Sequence, residues 1–219
     1  MPPPTNQSDD NQQPGALCAG KPLMAHILIA HAVIQGSRPL LWHSFGPETI
    51  PVSGKRERTG VAGNDPDEWR RTVLMTSDRQ LYLPAAAVFG CLRDGARFTR
   101  KGRGSIQPAL VATLQIVDER IMIDQFLPPE PLPTSDQAPV FLHISSVRNP
   151  TTKARNVRYR VAAAAGWRAS FAVRVDRTVI NRGELEAVLI DAGRLVGIGS
   201  GRQIGLGRFE VSAFEVRED

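Results

Sequence analysis

Residues 197–207 read GIGSGRQIGLG, five glycines in eleven positions with a single arginine among them. Glycine loses more conformational freedom on ordering than any other residue, so this density excludes a helix or strand interior. It calls for a backbone that turns sharply, takes positive φ angles or approaches another group closely. The flanks constrain it further. NRGELEAVLIDAGRLVG precedes it, with Leu185, Val188, Leu189, Ala192, Leu195 and Val196 on one apolar stripe and Glu184, Glu186, Asp191 and Arg194 off it. That period predicts a helix, closed by Gly197 as a C-terminal cap. RFEVSAFEV, 208–216, alternates like a half-buried strand. The glycines therefore join a helix to a strand.

The same reading along the chain supplies the other elements. MAHILIAHAVIQ, 24–35, is a β-branched run suited to a central strand. LYLPAAAVFGCLRDGARF, 81–98, predicts a helix with Pro84 in its first turn, Val88, Leu92 and Ala96 at helical spacing, and Arg93 and Arg97 on an adjacent stripe. ATLQIVDERIMIDQ, 112–125, reads as a strand pair or one bent strand, and LPPEPLPTSDQAP, 127–139, as a proline-rich loop. FLHISSVRN and ARNVRYRVAA form two arms of a hairpin with NPTTK at its tip, and WRASFAVRV, 167–175, is a further strand. Residues 36–72 mix Pro, Gly and charges, with a short helix around Glu68–Arg71. Residues 1–20 are expected to be a disordered tail, and 21–219 a single domain with insertions at about 36–79 and 126–165. Without those insertions the order is strand, helix, strand, strand, helix, strand. That predicts an α+β, ferredoxin-like βαββαβ core, an antiparallel sheet with both helices on one face. The fold does not settle function.

A nucleotide P-loop needs a Lys-Ser/Thr pair after its last glycine, and none follows here. A dinucleotide fingerprint leaves a strand and enters a helix, the reverse of this order. Two readings remain: a long turn that needs positive φ, or a loop whose N–H groups make an anion-binding concavity reinforced by Arg202 and Arg208.

Charge placement bears on the choice. The formal charge is +5. Residues 147–160, VRNPTTKARNVRYR, hold Arg148, Lys153, Arg155, Arg158 and Arg160 with no acid, and Tyr159 among them. RDGARFTRKGR holds Arg93, Arg97, Arg100, Lys101 and Arg103 against Asp94 alone. Such runs are either solvated faces or contacts to a phosphate backbone, and dominance by arginine favours the second. Cys18 and Cys91 are too few for a disulfide framework or a cysteine zinc site. No His, Cys and carboxylate spacing suggests a metal, and no cofactor is expected. No signal peptide and no run of about eighteen apolar residues is visible, so a cytoplasmic protein without a membrane partner is expected.

Residues 197–207 fit Gly-φ-Gly, five residues including a basic one, then Gly-φ-Gly, where φ is apolar. This resembles the C-terminal glycine-rich signature of the RAMP superfamily of CRISPR-associated RNA-binding proteins. Independently, LPAAAVFGCLR, 83–93, resembles the Ile-Pro-Gly-Ser-Ser-x-Lys-Gly-x-Leu-Arg segment that opens the first helix in backbone subunits of type III effector complexes. Pro84, Gly90, Leu92 and Arg93 keep that pattern; Ala85, Ala86, Ala87 and Phe89 replace its glycine, serines and lysine. The resemblance implies a subunit that binds the backbone of a guide RNA (crRNA) and assembles with copies of itself and other CRISPR-associated subunits on guide and complementary target nucleic acid. Arg93, Arg97, Lys101, Arg148, Lys153, Arg155, Arg158, Arg160, Arg202 and Arg208 would meet phosphates. Tyr159 would stack on a base, and Gly199, Gly201, Gly205 and Gly207 would present amides. It also implies a thumb formed by the basic hairpin, and in type III backbone subunits a cleaving aspartate after the first strand, for which Asp65 and Asp67 are the candidates. The alternative member is a metal-independent endoribonuclease that processes precursor RNA, with His43 as its proton carrier. A scaffold or phage structural protein whose arginines pair with acidic partners is the alternative outside nucleic acids.

Overall fold

The computed structural model describes residues 26–44, 65–148, 151, 153 and 155–218. The expected tail at 1–20 and much of the first insertion lie outside them. In chain order the elements are β1 (Ile27–Gly36), β2 (Leu40–Leu41), α1 (Glu68–Thr72), β3 (Gln80–Pro84), α2 (Ala85–Gly95), β4 (Arg100–Lys101) and β5 (Gly104–Ser105). Then follow α3 (Gln107–Thr113), β6 (Gln115–Ile116), β7 (Arg120–Phe126), β8 (Val140–Arg148), β9 (Arg155–Ala163), β10 (Arg168–Asp176), α4 (Arg182–Asp191) and β11 (Phe209–Glu218).

The main sheet runs β11-β1-β10-β7-β3, with β6 also on β10 and neighbouring strands antiparallel. Taking β6 and β7 as one interrupted strand, the four core strands stand in the order fourth, first, third, second. This is the ferredoxin-like arrangement, extended by β3 at one edge. Strand β1 is buried between two partners because Leu28, Ala30, Ala32 and Ile34 alternate onto the core face. Val88, Cys91 and Leu92 of α2 and Leu185, Val188 and Leu189 of α4 cover that face. The expected bend between β6 and β7 is completed by carboxylates. Asp118 accepts the Ala172 amide at 2.7 Å and Asp124 the Arg168 amide at 2.7 Å, supplying acceptors that the broken ladder lacks.

Helix α4 begins with a capping box between Asn181 and Glu184. It ends in a π-helical turn, Ala192–Val196, and here the apolar stripe read from sequence departs from the structure: Leu195 is 46% exposed. The wide turn presses the Gly193 backbone against β11, where a Cβ would lie 2.3 Å from the Phe209 carbonyl oxygen, and the next residues rotate outward. Two elements carry little sequence signal. Strand β3 is only five residues and runs directly into α2, and Leu110 is the one buried residue of α3.

A second sheet, β2-β9-β8, stands at the end of β1. β8 and β9 form the expected hairpin, in register from Val140↔Ala163 to Arg148↔Arg155. The Trp167 indole donates to the Arg38 carbonyl at 2.9 Å, and that of Trp42 to the Tyr82 carbonyl at 2.8 Å, tying the second sheet's approach to the first. Among the described residues no helix is long and apolar enough to cross a membrane.

Candidate nucleic-acid interface

All five loop glycines have positive φ, from 68° at Gly207 to 82° at Gly205. At Gly207 a side chain is also sterically excluded, since a Cβ would lie 1.8 Å from the Ile198 carbonyl oxygen. The loop is pinned, and most of its amides are spent on pinning it. Those of Gly197, Ile198, Ser200, Ile204, Gly205, Leu206 and Gly207 donate to carbonyls within the chain; Ser200 reaches Leu41 and Gly207 reaches Pro39, each at 2.8 Å. The amides of Gly199, Gly201, Arg202 and Gln203 find no acceptor among the described residues. Gly201 is left-handed and a 3-10 turn, Arg202–Ile204, follows it. That succession directs consecutive N–H groups toward one side. The concavity read from sequence thus narrows to residues 201–203.

Arginines gather beside it. Asp94, at the end of α2, takes Arg93 at 3.0 Å, Arg97 at 3.9 Å and Arg202 at 3.3 Å. Burial opposes ionisation of Asp94, but the Arg93 hydrogen bond and the charges of Arg93, Arg202 and Arg97 outweigh it and hold the carboxyl below its usual range. One carboxylate shared by three guanidinium groups leaves positive charge in excess. Arg208 adds to it: its Nη1 is buried without a hydrogen-bond partner among the described residues, and it acts with Arg202 on the thiol of Cys91, which burial pushes up to about 12. Asp94 is the organising residue that the sequence reading passed over, noted there only as the lone acid in a basic run.

That basic run is divided by the structure. Arg93 and Arg97 face the glycine loop, whereas Lys101 reaches the start of α4, bonding Glu184 at 3.0 Å and the Val179 carbonyl at 2.5 Å. The second run is divided too. Arg148 and Arg155 are exposed and directly opposite each other, and Lys153 is exposed near the tip. Arg158 is held by buried Glu68 of α1, whose other oxygen takes the Tyr159 amide at 3.2 Å. The Tyr159 ring is half-buried against the core, and Arg160 is half-buried beside His143.

Asp65 and Asp67 are bound by arginines of α1. Asp65 pairs with Arg71 and accepts the Asp67 amide at 3.0 Å; Asp67 bonds Arg70 at 3.0 Å and makes no side-chain cap, although it stands at the N-cap position. Arg70 also pairs with Glu130 of the proline-rich loop. Among the described residues no three His, Cys, Asp or Glu are arranged to hold a metal ion. His43 is half-buried after β2; burial first, then Arg160 and Arg158, lower its pKa against the opposing pull of Glu68. The outward positions of the two central strands, Ile29, His31 and Val33 on β1 and Ser170, Ala172 and Arg174 on β10, carry no Phe, Tyr or Trp, and the exposed imidazole of His31 is the one aromatic ring among them. A base-stacking platform of large rings is therefore missing from these positions of the open sheet face.

No protein-family model matches the sequence, and a search of curated proteins finds no relative. Among solved structures, a chain of the "Cryo-EM structure of the Type III-B Cmr-beta bound to cognate target RNA" superimposes with a TM-score of 0.45 at 13% identity. The alignment covers 88% of this chain and 61% of that one, so the chain spans less than two thirds of that neighbour's length.

Proposed function

We propose that this chain binds the ribose-phosphate backbone of a guide RNA as a subunit of a CRISPR-type effector complex. The observation that carries the reading is the crowding of Arg93, Arg97 and Arg202 onto the single carboxylate of Asp94, next to the open amides of residues 201–203. Fixed N–H groups and guanidinium forks match phosphate oxygens without reading base identity. Arg208 reinforces that end, and Arg148, Lys153 and Arg155 extend the path onto the projecting hairpin. Lys101 and Arg158, neutralised within the chain, lie off this path, as does half-buried Arg160. Base pairing of the guide then selects the target, and copies of the subunit follow one another along the strand.

The test is RNA binding measured across salt. Affinity for single-stranded RNA should fall steeply and linearly on a log–log plot, with little dependence on sequence. Purified protein should carry RNA and protect it from nuclease in a regular footprint. Affinity that stays unchanged from low to high salt would refute the reading.

A further inference from the structure

The polar groups at the base of the β8–β9 hairpin lie off the RNA path and form a cluster of their own. Arg160, on the middle strand of the second sheet, stands directly opposite His143 on β8. Its other flank is lined by the chain that follows β2. There the Trp42 amide bonds the Val161 carbonyl at 3.0 Å, which brings His43 within electrostatic reach of Arg160, Arg158 and Glu68. Two histidines from neighbouring segments therefore flank one arginine.

The charge in this cluster is unbalanced. Glu68 of α1 is committed to Arg158 and to the Tyr159 amide. Arg160 feels the Glu68 charge but forms no ion pair among the described residues, and its Nε is shut off from solvent without an acceptor. Nδ1 of His143 is likewise enclosed without a hydrogen-bond partner among the described residues, with the Arg160 charge acting on the ring. A half-buried guanidinium with an unsatisfied donor is destabilising unless an anion joins it.

We infer that His43, His143 and Arg160 together form a binding site for a phosphoryl group. A tetrahedral phosphoryl offers three or more acceptor oxygens, enough for a guanidinium fork and a ring N–H from each side; a carboxylate has only two. Each imidazole must be protonated, or present its N–H tautomer, to donate. Where an imidazolium is the donor, binding is accompanied by uptake of that proton from solvent; a neutral N–H tautomer donates without it. Arg158 stands beside the site on the same strand face, but its pairing with Glu68 keeps that carboxylate from repelling the ligand. The site rests on the hairpin base and the chain that follows β2, and does not need the guide-RNA reading.

The experiment is an NMR titration of the full chain with inorganic phosphate, following the imidazole signals of all four histidines; His26 and His31 on β1 and its approach serve as internal controls. Saturable shifts confined to His43 and His143, with their pKa values raised by roughly one unit, are expected. Arg160→Gln should weaken this binding about tenfold or more, and Arg160→Lys, which keeps the charge but loses the fork, should fall between. Equal shifts of all four histidines, or none at saturating phosphate, would overturn the site, and this wild-type readout needs no variant to fold. A competing acidic peptide that displaces phosphate at equal concentration would also overturn the phosphoryl assignment. Short RNA with and without a 5′ phosphate then identifies the source. Displacement by either RNA assigns the site to a phosphodiester, displacement by the phosphorylated one alone to a terminal phosphate, and displacement by neither to a free phosphoryl ligand. RNA affinity itself tests the other reading separately.

Discussion

Arg202 and Asp94 lie 108 positions apart in sequence and meet at 3.3 Å, joining the glycine loop to the end of the first core helix. The loop's position is thus set by hydrogen bonds to Pro39 and Leu41 on one side and by this ion pair on the other. A carboxylate that organises a basic surface has two opposing effects, and they separate on mutation.

Asp94→Asn should strengthen RNA binding while weakening the fold. The neutral amide frees three guanidinium groups, so affinity at low salt rises and the salt slope steepens by roughly one unit. The pairs are partly exposed, so the stability loss should be about 1 kcal/mol. Anisotropy titrations and urea unfolding read the two effects independently.

Within the hairpin, position predicts opposite phenotypes for chemically identical changes. Arg148→Ala and Arg155→Ala, at exposed sites, should leave stability within about 0.5 kcal/mol and reduce the salt slope by roughly one unit each. Arg158→Ala should leave the slope nearly unchanged and destabilise by about 1–3 kcal/mol, because Glu68 remains buried without its cation. Chemical denaturation beside the binding isotherms distinguishes them.

Two glycines of one loop should differ in tolerance. At Gly205 (φ 82°) a Cβ meets open space, so Gly205→Ala bears only the left-handed strain of about 1–2 kcal/mol. At Gly207 the same strain is joined by a collision with the Ile198 carbonyl, so Gly207→Ala should lose well over about 2 kcal/mol or fail to fold. Thermal unfolding of the pair checks this ordering.

Acid should destabilise the chain through His43 and His143. Burial, with Arg160, lowers both pKa values in the folded state, so the unfolded chain takes up protons first as pH falls below about 6.5. Stability is therefore full above that value and declines through the window down to the folded pKa values. His143→Gln should flatten this decline in urea midpoints collected from pH 7.5 to 5.

Much of the fold is legible in the sequence because each core element carries its own pattern: a β-branched run in β1, alternation in β10 and β11, helical spacing in α2 and α4. Strand β3 and helix α3 escape because one is very short and the other buries a single side chain, so neither repeats long enough to register. Leu195 misleads because a π turn adds a residue that no period announces. The arginine clusters are visible as composition, but not which of their members are already neutralised. Arg158 and Glu68 are 90 positions apart, and Lys101 and Glu184 are 83. Such pairs are set by tertiary packing. His143 opposite Arg160 follows from hairpin register, once the turn is fixed.

Arg148 faces Arg155 across the far end of the hairpin with no acid between them, a pairing that like charges disfavour. Strand pairing is therefore weakened by repulsion where the hairpin is most cationic, and a bound polyanion should act as a splint. Amide exchange along residues 145–148 and 155–158 should slow when RNA is present. The molecule would then gain stiffness in the act of gripping, and its shape at that end would belong in part to its ligand.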